Sequence, residues 1–231
     1  MAVNATIGSR ISDLIGSSYA TIPNLSYKDL INNAFNEVAD MMSTENLLKY
    51  SGEPSETTNL NYYHIEDKKI LSVTRIDADS GGIQRECKGM SIGDFAKAED
   101  STSILAATAY SPVYTIVASA DNSYIKWAPA TNASGQTGLV YYFSYALGST
   151  DLTQITTSTL NSTHKLPGES IHAIVLKACV NILTAYLSEQ IQDEEDMELM
   201  GMINTQINHF DKLFLNEMQR FMDKNREATG E

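Results

Sequence analysis

The sequence predicts an α+β protein, a discontinuous helical bundle assembled from both chain ends with an antiparallel β domain inserted between its halves. Three observations carry this. Apolar residues recur at three-and-four spacing early, over residues 26–50, and late, over residues 169–224. Between about 60 and 160 charge thins while Thr, Ser, Tyr and Gly rise, which is strand-and-turn composition. None of the helical stripes is self-sufficient, so the first helix and the last two need one another.

Residues 1–25 carry little pattern beyond a helical turn near Arg10–Ile15, broken by Gly16-Ser17-Ser18 and Pro23. They are expected to form an N-terminal arm. No apolar run follows a basic segment in Met1–Ser18, so no signal peptide is expected. Ser26-Tyr27-Lys28-Asp29 reads as a variant capping box. Leu30, Ile31, Ala34, Phe35, Val38, Met41 and Met42 then form one stripe, on a helix ending near Tyr50 before Ser51-Gly52-Glu53-Pro54.

In the middle, Leu71–Thr74 alternates as a strand does. Val113–Ser119 and Tyr124–Trp127, joined by Asp121-Asn122-Ser123, read as a hairpin stopped by Pro129. Leu139–Tyr145 is a further strand, apolar enough to be buried partly on both faces. Residues 83–110 stay open between a helical turn at Ser91–Ala98 and an irregular excursion.

Leu166-Pro167-Gly168-Glu169 announces a helix, with proline and an acid at its start. Ile171, Ile174, Val175, Ala178, Cys179, Ile182, Leu183, Tyr186 and Leu187 give it a wide apolar face, and Lys177 is the one formal charge between Ile171 and Ser188. That composition predicts enclosure by protein and burial of Cys179. After acids at Glu189 and 193–198, Met197, Met200, Ile203, Ile207, Phe210, Phe214, Met218 and Phe221 mark a last amphipathic helix reaching about Lys224. The expected division is 1–25 as arm, 26–55 with 165–224 as helical bundle, 56–164 as inserted β domain, and 225–231 as a flexible tail.

The net charge of −13 argues against a basic nucleic-acid groove, though it suits a surface that DNA passes without sticking. No stretch approaches about eighteen consecutive apolar residues, so no membrane partner is expected. His64, His164, His172 and His209 stand apart, without a neighbouring nucleophile motif or a second His at helical spacing. Gly81-Gly82 and Gly89 lack the Lys-Ser/Thr or spaced glycines of a phosphate loop. Asp193-Glu194-Glu195-Asp196 has no alternating ligands and no mid-loop glycine, so it reads as helix-start charge rather than a calcium loop. Cys87 and Cys179 lack metal spacing and read as free thiols. Catalytic, cofactor and metal residues are therefore expected to be none.

The order of elements resembles the head-to-tail adaptor (connector) proteins of tailed bacteriophages, of the tail tubular protein A type. Three stretches carry it: Leu25–Tyr50; the strands Val113–Pro129 and Gly138–Tyr145; and Leu166-Pro167-Gly168-Glu169-Ser170-Ile171 running into Ile174–Ala178, an acid-rich turn and a final helix. The resemblance implies a structural virion protein. It would form a homo-oligomeric, dodecameric ring between the portal protein and the tail or nozzle protein, assembled in the bacterial cytoplasm, with DNA passing through unbound. It transfers no individual residue, and residues 77–112 match nothing in it. Two readings from other classes stand beside it: another virion component, such as a tail-completion or capsid decoration protein, and a non-viral acidic protein-binding module.

Overall fold

The computed structural model describes residues 5–16, 27–51, 54–58, 62–78, 81–118, 123–131, 135–147, 150–190 and 197–229. The fold is α+β, and the chain divides into a helical unit from residues 1–50 and 146–231 and a β unit from residues 51–145. The return to the helical unit thus comes at Ala146 and not at 165, and the β unit begins at Ser51 and not at 56.

The helical unit is built around α6 (Ile171–Gln190), against which α1 (Ile7–Ile15), α2 (Tyr27–Met41) and α7 (Met197–Thr229) all pack. That central place explains its composition, since a helix apolar on most sides must be enclosed. By length and composition Gly168–Glu189 would suffice to cross a bilayer, but most of it is buried within the protein. Polar contacts fix its register: Lys177 Nζ pairs with Glu37 at 2.8 Å, and Asn181 Nδ2 donates to the Leu30 carbonyl.

The expected N-terminal arm contains a packed helix. Thr6 caps α1 by accepting from the Ser9 amide, and Ile7, Ile11 and Ile15 lie buried along one face. Three apolar residues at i, i+4, i+8 spacing are enough for a nine-residue helix when its face meets a core. The Ser26 cap lies outside the described residues. The helix expected over 26–50 is two helices, because Ser43 interrupts it and caps α3 (Thr44–Leu48) through the Asn46 amide.

Residues 146–164 join the helical unit because α2 holds them. Asn36 grips the Ala146 backbone at both ends, donating to its carbonyl at 2.9 Å and accepting from its amide at 2.8 Å. Asn32, 2% exposed, donates to the carbonyls of Leu147 and Thr150. These amides satisfy backbone groups that a loop beside a core would otherwise leave unpaired. Then α5 (Thr157–His164) starts in a capping box between Thr156 and Thr159, and a 3-10 turn, Gly168–Ser170, leads into α6. At the far end α7 remains helical through Thr229, past the expected stop near Lys224 and through most of the expected tail.

Among the described residues the β unit holds two four-stranded sheets. One has the order β1 (Ser55–Thr58), β8 (Gln136–Ser144), β3 (Lys68–Asp77), β4 (Gln84–Glu86); the other has β2 (Tyr62–His64), β7 (Ser123–Ala128), β6 (Val113–Ala118), β5 (Lys88–Gly89). Every pair is antiparallel except β5 with β6. Val73 and Val140 from the first sheet meet Ile125 and Trp127 from the second in one core, with Cys87 among them. Period-two alternation puts Val73, Arg75 and Asp77 on the same face of β3. Arg75 and Asp77 are thereby an ion pair inside the protein, with side chains 1% and 4% exposed.

The stretch that sequence left open, 83–110, has a defined path. Gly81 and Gly82, both at positive φ, turn β3 into β4. At Cys87 the chain leaves the first sheet and enters the second, its amide still donating to Val73. Ser91 then caps α4 (Ile92–Glu99), whose Phe95 and Ala98 cover Val113 and Ala128. Lys126 clamps α4 to β7, reaching Glu99 at 2.6 Å across the Phe95 ring.

Candidate assembly surfaces

The structure separates the residues that could have carried chemistry. His64 is exposed on β2 with its ring edge-on to Tyr62; His209 is exposed on α7 beside Phe210. His172 is half-buried near the start of α6. His164 ends α5 with its ring 5.8 Å from Phe35, and burial holds its pKa below the ordinary imidazole value. Among the described residues no group of three His, Cys, Asp or Glu side chains is placed to hold a metal ion. Residues 193–196 lie outside them. Cys179 is fully buried on α6, as its stripe requires, and burial pushes its thiol up to about 12. Cys87 is also buried and likewise pushed up to about 12, burial outweighing the opposing pull of Arg75.

Exposed apolar side chains gather on one helix of the helical unit. Ile203, Phe210, Phe214 and Met218 form the buried stripe of α7. Met197, expected on that stripe, is 81% exposed. Among the described residues five of the six exposed large apolar side chains of the helical unit lie on this one helix: Met197, Leu199, Met202, Leu213 and Leu215, the sixth being Leu147. At 3.6 residues per turn they fall into two rows. Leu199, Met202 and Leu213 lie roughly a quarter turn to one side of the buried stripe, and Met197 and Leu215 roughly a quarter turn to the other. A core-stripe reading of α7 includes Met197 but passes over Leu199, Met202, Leu213 and Leu215 because they interrupt its polar faces, and that interruption is itself the sequence signal.

The β unit presents a second apolar feature, a tight knuckle after α4. Asp100 Oδ1 accepts from the Thr102 amide at 2.9 Å and its hydroxyl at 2.7 Å, and these bonds hold the Asp100 carboxyl below the usual range. Ser103 donates its amide to the Asp100 carbonyl, its hydroxyl accepts from Leu105, and Ala107 ties back to Ala98. Ile104 stands wholly in solvent at the tip, with Leu105 half-exposed beside it. Tyr110, also exposed, takes the Arg85 guanidinium over its ring at 5.1 Å. A turn so bonded presents its aliphatic tip with little ordering left to pay on contact.

A small cavity of about 190 Å³ lies within the helical unit where α3, the 3-10 turn and α7 meet, lined by residues that include Lys49, Tyr50, Glu169 and Phe221. No protein-family model matches the chain, and no curated protein matches it significantly.

Proposed function

We propose that this chain is a structural assembly protein of the head-to-tail adaptor type, forming a ring between the portal and the tail of a tailed bacteriophage. The observation that carries the reading is the gathering of exposed apolar side chains on α7, a helix already packed on α6 through another face. A helix apolar on several sides is a helix meant to be enclosed, and a single copy encloses only one side of it. The helical unit drawn from both chain ends, with a β unit between, supports the reading because it resembles the order of elements expected of that class. A net charge of −13 suits the lining of a DNA channel, because phosphates are repelled rather than held.

The exposed Ile104–Leu105 knuckle supplies a second surface, on the β unit, for a different protein such as a tail component. Deleting the gene from the phage tests the function directly. Particles that package DNA but fail to attach tails are expected. Particles that complete their tails normally would rule the adaptor role out.

A further inference from the structure

We infer that the two apolar rows of α7 are the two halves of one head-to-tail contact between copies of this chain, the Leu199/Met202/Leu213 row of one copy meeting the Met197/Leu215 row of the next. The inference rests on the assembly reading above and names the faces it uses. Two features converge on a second copy as the occupant.

The first is geometry. A ring requires a heterologous contact, in which each copy offers two different patches facing opposite ways. A single patch, meeting itself about a two-fold axis, would stop at a dimer. The two rows flank the buried stripe of α7 on opposite sides, roughly half a turn apart, so one helix can touch a neighbour on its left and another on its right. The second is charge. Copies carrying −13 each repel wherever acids face acids, so self-contact needs a charge-poor surface. Between Met197 and Leu215 the formal charges are Glu198, Asp211 and Lys212, while the other non-apolar positions are Gly201, Asn204, Thr205, Gln206, Asn208 and His209.

The test uses the full chain and two surface variants, Met202→Glu with Leu213→Glu on one row and Met197→Glu with Leu215→Glu on the other. All four positions are exposed, so unchanged far-UV circular dichroism is expected, together with an unchanged melting temperature at dilutions where the unaltered chain is also monomeric. At the highest soluble concentration, light scattering should give a multimer for the unaltered chain and the 25.4 kDa monomer for each variant alone. Mixed in equal amounts the two variants should form a species of twice that mass and stop, because each retains the row the other has lost. If both variants assemble like the unaltered chain, the α7 rows are not the contact, although the assembly reading stands. If one variant assembles and the other does not, or the mixture stays monomeric, the contact is not heterologous through these rows. An unaltered chain that remains monomeric overturns the inference and the assembly reading together.

Discussion

Replacing Asp77 by alanine leaves the Arg75 guanidinium inside the β unit without its counter-ion. Arg75 is 1% exposed, its remaining described bond is from one terminal nitrogen to the Ala130 carbonyl at 3.1 Å, and its Nε has no partner among the described residues. Removing one member of such a pair costs about 3–5 kcal/mol, because the penalty is the desolvated charge left behind. Against a typical domain stability of about 5–15 kcal/mol, that is a large part of the whole. The chain has a single tryptophan, and Trp127 is fully buried between the two sheets, so its fluorescence follows this unit during urea unfolding. With a slope of about 2 kcal/mol per molar, the midpoint should fall by roughly 2 M. Replacing both residues by apolar ones, Arg75→Met with Asp77→Leu, should leave stability within about 1 kcal/mol of the unaltered protein or above it. A loss under about 1 kcal/mol for Asp77→Ala, or a double variant as weak as the single one, would refute the reasoning.

Asn36→Ala removes both bonds to the Ala146 backbone and should cost about 1–3 kcal/mol, read as loss of helical circular dichroism at lower denaturant; no change would mean the return segment is held otherwise. His164 has its pKa lowered by burial, so the native state binds fewer protons there than the unfolded chain does. Its neutral form is tolerated at high pH, and stability should fall as pH drops below about 6.5. The stability of the unaltered protein relative to His164→Gln should therefore fall from pH 7.5 to 5.5 in denaturation curves, and a constant difference would contradict the burial. Both thiols are buried with pKa values near 12, so a thiol reagent should label neither Cys87 nor Cys179 until the protein unfolds. Fast native labelling of Cys179 would mean that the α6 face is exposed.

The long amphipathic helices were legible because their periodicity reports a buried face directly. Phe35 and Val38 on α2, and Cys179 and Leu183 on α6, lie where their spacing puts them. The strand around Leu71 was legible from period-two alternation, the β6–β7 hairpin from β-branched and aromatic residues on either side of a turn, and the strand at Leu139 from its apolar run. Short elements were not. A nine-residue helix such as α1 owes its stability to packing on α6, which local pattern does not contain. The boundary at Ala146 depends on Asn32 and Asn36, side chains more than a hundred positions away whose partners are backbone atoms. Nor does anything local distinguish Arg75 and Asp77 from an exposed pair on a strand. Within α7, the stripe drew attention to the core face, while the exposed Leu199, Met202, Leu213 and Leu215 lie off it and Met197, placed on it by spacing, is exposed.

The most direct measurement is the position of the chain in intact particles by cryo-electron microscopy. A closed ring between the portal and the tail, with α7 from adjacent copies side by side, is the expected result. Density for the chain distributed over the capsid surface, or in no part of the particle, would contradict the assignment.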